Sequence, residues 1–308
     1  MAVGLASCIK DDLSDCVDTR GNVRLIVKLD ARALTVGLDD YQIDSTHVYV
    51  FDANNEFVTF AAGEKFDSTK EYEFFFTLEE SGDYNFVVWT NPGESYETNY
   101  TVEQCYRHHF TPEQLQYYMN VPDDKLVTGD IADMLYGAKE QEIIGHISNT
   151  VVVELNPNNY RVNVTVKGLP ATDDDFEFTI TDNNSHYNFE NSIIRTNIDD
   201  FTYIRYANQQ EDEESGESEL NVSFEVLRLL NEEDDSNNPY FVFTNATLND
   251  PLYSADLIAM IRRAYSLSGQ LLDFDKTHVF DIVLTIDTKM GVSVSVNGWR
   301  YTEQPTNF

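Results

Sequence analysis

The chain has 308 residues, a length that suits about two domains. Its 42% hydrophobic and 13% aromatic content is ample for packed cores and leans toward pleated, half-buried surfaces, which excludes gross disorder. A net charge of -34, from 54 acidic and 20 basic residues, repels phosphate backbones and excludes nucleic acid as a partner.

The acidity reads as solubility outside the cell. A calcium-binding reading finds no ligand loop: Asp173, Asp174 and Asp175 are adjacent rather than spaced around a glycine turn. The runs Glu211 to Glu219 and Glu232 to Asp235 read as solvated loops. No segment reaches the ~20 apolar residues that would span a bilayer, so contact with a membrane requires a covalent anchor.

Leu5-Ala6-Ser7-Cys8 has the shape of a lipobox, in which the cysteine thiol takes a diacylglycerol and becomes the new N-terminus. Only Met1 to Gly4 precede it, so the basic and apolar regions of a leader are shortened away. The stretch from Ile9 to Cys16 is polar, acidic and aperiodic, and reads as a tether over residues 1–18. The acyl chains of such an anchor together hold firmly, where one chain would hold only marginally. Cys8, Cys16 and Cys105 are the only cysteines. With Cys8 lipidated, Cys16 and Cys105 either form a disulfide in an oxidising compartment or stay as two thiols.

The first strand is expected at Val23 to Asp30, where Val23, Leu25, Val27 and Leu29 alternate with polar residues. His47 to Phe51 is the second, and Asp52 to Asn55 turns it into a strand that resumes at Phe57. Tyr72, Phe74, Phe76 and Leu78 share one face of the next. Gly82-Asp83 then leads into Tyr84, Phe86 and Val88. Thr111-Pro112-Glu113-Gln114 carries helix-start signals, with Leu115, Tyr118 and Met119 on one helical face. Val151 to Leu155 is the last strand of the first domain, residues 19–156, and the turn cluster Asn156-Pro157-Asn158-Asn159 marks the boundary.

The second domain, residues 157–308, opens with alternating Val162, Val164 and Val166, then Phe176, Phe178 and Ile180. Further strands are expected at Tyr187 to Phe189, Phe201 to Tyr206, Val222 to Leu227 and Tyr240 to Phe243. A helix follows with Ser254 as cap, Leu257, Ile261 and Tyr265 on one side, and Gly269 beyond its end. Phe280 to Ile286 and Val292 to Val296 close the chain. Strands separated by turns, with little helix, predict an all-β fold of two antiparallel sandwiches. The halves can share an architecture without sharing sequence.

Catalytic and cofactor signatures are missing. There is no Gly-x-Ser-x-Gly elbow, phosphate loop or dinucleotide fingerprint, so neither an enzyme nor a cofactor is expected. Cys105, His108 and His109 invite a metal reading, but no second ligand cluster accompanies them and no metal is expected. Tyr96, Tyr100, Tyr106, Tyr117 and Tyr118 offer either a sugar-stacking platform or ordinary core packing.

Several stretches together resemble the FimB-like fimbrial anchor lipoproteins of Bacteroidales. They are the tether from Cys8 to Cys16, Val48-Tyr49-Val50-Phe51-Asp52, Gly82-Asp83-Tyr84-Asn85-Phe86 with Trp89, Leu135-Tyr136-Gly137, Val164 to Pro170, and Val294 to Trp299. The resemblance covers nearly the whole chain. It implies two tandem transthyretin-like, Greek-key β-sandwich domains with short helices. It implies a lipoprotein on the outer-membrane surface, at the base of a fimbria whose length it limits. Its partners would be shaft or accessory subunits joined by β-strand complementation. Arg20, Arg24 and Arg32 lie where shaft subunits of this kind are cut by an arginine-specific protease, but an anchor keeps its lipidated N-terminus, so no cut is expected here. The alternative function is a surface lipoprotein that binds glycans or host protein, with an enzyme acting on surface polysaccharide behind both.

Overall fold

A computed structural model of the chain describes residues 20–30, 41–66, 71–93, 95–211, 218–230, 237–287 and 291–302. The first half forms β1 (Val23–Leu29), β2 (Ile43–Phe51), β3 (Phe57–Phe66), β4 (Tyr72–Phe76), β5 (Gly82–Thr90), β6 (Tyr96–Thr98), α1 (Val102–His108), β7 (Gln116–Met119), β8 (Leu126–Val127), β9 (Leu135–Ile143) and β10 (Asn149–Pro157). The second half forms β11 (Asn159–Lys167), β12 (Phe176–Asp182), β13 (His186–Asn188), β14 (Ile193–Ile194), β15 (Phe201–Ala207), β16 (Gln210–Glu211), β17 (Ser218–Leu227), β18 (Tyr240–Asn245) and β19 (Asp250–Asp256). It ends with α2 (Leu257–Ser268), β20 (Val279–Ile286), β21 (Val292–Val296) and β22 (Trp299–Thr302). The fold is all-β, of transthyretin-like sandwiches with two short helices.

In the first half, β4-β1-β10 packs on β3-β2-β5-β9. The strands β9 and β10 hydrogen-bond only at Asn156↔Tyr136 and Pro157↔Leu135, which makes the corner where one sheet turns into the other. The expected alternation holds: Val23, Leu25, Val27, Val151, Val153 and Leu155 are buried against Val48, Val50, Phe86 and Val88. In the second half, β17-β11-β20 packs on β19-β18-β12-β15, through Val162, Val164 and Val166 on one side and Phe176, Phe178 and Ile180 on the other.

The two halves repeat one seven-strand topology. Strands β1, β2, β3, β4, β5, β9 and β10 correspond to β11, β12, β15, β17, β18, β19 and β20, with every pairing of the first half's interior reproduced in the second. The sheets are not purely antiparallel as the pattern suggested. The first and last strands of each unit run parallel, β1 with β10 and β11 with β20.

Two helix expectations change. The Thr111 signals produce a single turn: the Gln114 and Leu115 amides donate to the Thr111 carbonyl, and the Thr111 amide donates to Gln114 Oε1. The chain then becomes β7, because burying Leu115, Tyr117 and Met119 at period two outweighs the helical spacing. The helix lies upstream at α1, where Thr101 and Gln104 form a capping box. The second helix is capped by Asp256, whose carboxylate accepts from the Ala259 amide at 2.7 Å; Ser254 belongs to β19. Gly269 ends α2 in the left-handed region at φ 74, as expected.

The boundary cluster is a clamp. Asn158 and Asn159 are 2% and 7% exposed. The Asn159 side chain accepts from the Met134 amide at 2.5 Å and donates to the Ala132 carbonyl at 3.0 Å. Asn158 and Asn191 exchange amide hydrogen bonds at 2.6 and 3.2 Å. Asn159→Ala would leave the buried Met134 amide without its partner, while the Ala132 carbonyl keeps the Tyr96 hydroxyl. It should cost about 1–3 kcal/mol, read as a lower midpoint in chemical denaturation.

Candidate functional site

Two features of this fold bear on function: the seam that joins the halves, and the sheet the seam leaves uncovered. At the seam, Val48 to Phe51 of β2 and Phe86 to Thr90 of β5 are buried without alternation. Their inner residues belong to the first core, whereas Tyr49, Phe51, Val87 and Trp89 belong to the core they share with the second half. Against that outer face lies the four-stranded sheet β14-β13-β7-β6, two of whose strands come from each half. Trp89 stacks on Tyr117 with ring centres 4.6 Å apart, and Tyr117 stacks on Tyr96. Tyr49 meets Phe189 edge-on at 4.7 Å.

These buried phenols keep partners for their hydroxyls. Tyr117 donates to the Thr90 carbonyl at 2.6 Å, Tyr96 to Ala132 at 2.5 Å, and Tyr136 to Phe189 at 3.2 Å. Burial raises the pKa of all three, so they stay protonated. The seam is tied again where β8 of the first half joins β15 of the second in parallel. There Arg205 donates to the Gly129 carbonyl at 2.9 Å and pairs with Asp130 at 3.0 Å.

A cleft of about 560 Å³ opens along the seam, lined by Asp44, Asp130, Asp133 and Glu225 among others. Its carboxylates are already engaged. Asp44 pairs with Lys65, Asp130 with Arg205 and Glu225 with Arg161, and Asp133 accepts from the Gln42 amide. Burial raises the pKa of Asp133. The arrangement is one of structural pairs, not of a free acid beside a free base.

The uncovered sheet is β4-β1-β10. In the second half, the equivalent sheet β17-β11-β20 is extended at both edges, by β16 on β17 and by the β21–β22 hairpin on β20. In the first half, among the described residues, β4 carries no further strand, and β10 is closed by β9 only at its last two residues. A side chain at Gly137 would meet the Glu154 carbonyl at 2.6 Å, so glycine is what lets β9 come this close at the corner. Among the described residues, no strand pairs with the outer edge of β10 from Asn149 to Leu155.

Of the cysteines singled out, Cys8 and Cys16 lie outside the described residues. Cys105 sits fully buried in α1, and burial pushes its thiol up to about 11. Its neighbours do not form a metal centre. His109 caps α1 and its Nδ1 contacts the Phe57 carbonyl at 3.1 Å, while His108 lies by the Phe110 ring. Among the described residues, no group of three His, Cys, Asp or Glu could hold a metal. The tyrosines divide. Tyr96 and Tyr117 are core, Tyr100 stacks on Phe110, Tyr106 meets Phe57, and Tyr118 faces outward.

The fold is that of paired all-β sandwiches, and the comparisons narrow its class. The model of the fimbrillin-A associated anchor proteins Mfa1 and Mfa2 matches residues 13–305. The chain belongs to that family and is a fimbria-associated protein. No curated protein matches its sequence. Its fold is similar to that of a candidate adhesin from Bacteroides thetaiotaomicron, with a TM-score of 0.72, 16% identity, and 92% of this chain and 98% of that one covered. It is also similar to a candidate polysaccharide-binding protein from the same organism (0.68, 18%, 93% and 100%). The fimbrial anchor protein Mfa2 from Porphyromonas gingivalis is a third (0.67, 17%, 92% and 99%). Among the described residues, no helix is long and apolar enough to cross a membrane.

His47 at the seam gives a test by pH. Its ring packs edge-on against Phe60 at 4.9 Å, and burial lowers its pKa to about 4. The unfolded chain therefore binds a proton near pH 6.5 that the folded chain refuses until about pH 4. Stability is full above 6.5 and falls as pH drops through that window. Burial lowers the pKa of His186 and His278 too, so they act in the same direction. His47→Phe should flatten the decline, by up to about 3 kcal/mol at its acid end, as measured by urea titrations between pH 4 and 7.

Proposed function

We propose that this chain is the base of a fimbria, tethered to the outer membrane through a lipid on Cys8, and that it ends the fimbria and so limits its length. In this reading residues 1–18 are the tether, 19–156 the first domain and 157–308 the second. A shaft or accessory subunit joins by adding a strand to the edge of β10. The chain has no enzymatic role; it bears load.

The observation that carries the reading is the contrast between equivalent edges. The second unit covers the edge of β20 with its own hairpin, whereas among the described residues of the first no strand pairs with the outer edge of β10 from Asn149 to Leu155. An unpaired edge is a template for another chain's strand, with main-chain hydrogen bonds for affinity and alternate side chains for register. Membership of the anchor family supports the assignment to the base rather than the shaft.

Electron microscopy of cells with and without the gene tests it. Deletion should give long fimbriae that detach into the medium. Cys8→Ala should detach them while the protein is still made. Fimbriae unchanged in length and attachment would remove the anchor from consideration.

A further inference from the structure

The core face of β9 is interrupted. Leu135, Gly137, Lys139, Gln141 and Ile143 alternate along one side of the strand. Leu135 and Ile143 are wholly buried in the first core, and a side chain at Gly137 would run into Val153 and Leu155 of that core at 2.7 and 3.1 Å. The register agrees: Gly137 stands opposite Val88, Lys139 opposite Phe86 and Gln141 opposite Tyr84, three residues of the same core. Yet Lys139 and Gln141 are exposed. Two long polar side chains stand on the inner face of a sandwich strand, between two residues fully withdrawn from water.

The corner explains the exposure. β9 and β10 hydrogen-bond only at Asn156↔Tyr136 and Pro157↔Leu135. Beyond that corner the two strands no longer pair, and the inner face of β9 opens to solvent. The second unit closes the same mouth with its own chain. Its β19 presents Tyr253 inward, opposite Phe243. Tyr253 is 5% exposed, and its hydroxyl donates to Met260 Sδ of α2 at 3.7 Å. α2 packs on β19 and on the β21–β22 hairpin, and the hairpin continues the sheet from β20.

Lys139 also differs from the other lysines. Lys28, Lys65, Lys125, Lys167 and Lys276 each pair with a carboxylate. Among the described residues Lys139 alone of the lysines forms no such pair, in a chain of 54 acidic and 20 basic residues. We propose that the strand which a fimbrial subunit adds at β10 carries a carboxylate on its inward face, and that this carboxylate pairs with Lys139. The inference rests on the β10 reading and names the chemistry of the partner strand. A strand laid on the β10 edge stands over the mouth and takes water from Lys139. An ammonium withdrawn from water needs an opposite charge and hydrogen bonds, and this chain supplies neither.

Carbodiimide coupling on isolated fimbriae that retain this chain tests it, because the reagent joins an amine to a carboxylate in contact. Mass mapping should find Lys139 joined to an Asp or Glu of a fimbrial subunit. Lys139→Arg, which keeps the charge but not the amine, should lose that adduct and hold fimbriae as the wild type does. Lys139→Glu should release about tenfold more fimbriae into the medium, and changing the mapped carboxylate to lysine should restore attachment. Lys139 is exposed in the chain alone, so neither variant should shift its urea midpoint. A photoreactive residue at position 152 of β10 separates this inference from the reading beneath it. If position 152 crosslinks to a subunit but Lys139 couples to none, or Lys139→Glu holds fimbriae as well as the wild type, the carboxylate is wrong and the β10 junction stands. If position 152 crosslinks to no subunit, both fall.

Discussion

The seam between the halves is the constraint on which the rest of this structure depends. Trp89 on Tyr117, Tyr49 on Phe189 and the four-stranded sheet drawn from both halves place aromatic packing where a linker would otherwise leave two bodies free to turn. Aromatic side chains bury large areas while holding few rotamers, which makes such a joint stiff as well as stable. Asn158 and Asn159 remove the remaining freedom by spending their amides on neighbouring backbone and on Asn191. If the chain holds a filament to a surface, as proposed, a joint of this kind suits it. A hinge at the boundary would take up the load instead of passing it on.

Burying one face of β3-β2-β5-β9 in the seam also decides which surface stays available. That sheet packs a core on both faces, whereas the opposite sheet, β4-β1-β10, packs one on a single face; among the described residues β3 and β4 are the terminal strands. The second unit, built on the same plan, spends its last two strands covering the matching edge. Two copies of one topology thus differ at their sheet edges, where the second unit carries β16 on β17 and the β21–β22 hairpin on β20.

Much of this was legible in the sequence. Period-two runs located β1, β5, β11, β12, β20 and β21 because each has a face on a core. What was harder to read had physical causes. Phe86-Val87-Val88-Trp89 is apolar without a gap, the mark of a strand buried on both faces, and alternation finds only one face of it. The segment after Thr111 satisfied helix-start chemistry locally and was overruled by burial of Tyr117 in the seam. The capping box at Thr101 and Gln104 was equally plain but opens a helix of only seven residues, with a short apolar face. The division of the tyrosines into core and surface depends on which strand face meets the other half, which no local pattern encodes. The short strand β8 pairs with β15 of the other half, a partner far along the chain that no local pattern announces.

The most direct test of the central claim is crosslinking on living, fimbriated cells, with a photoreactive amino acid placed singly in this chain. Val152 lies on β10 with its side chain exposed; Tyr240 lies on β18 of the second half, also exposed. The account predicts that illumination joins position 152, and not 240, to a fimbrial subunit. Adducts from position 240 with none from 152 would contradict it, and would move the junction from the bare edge of the first unit to the second.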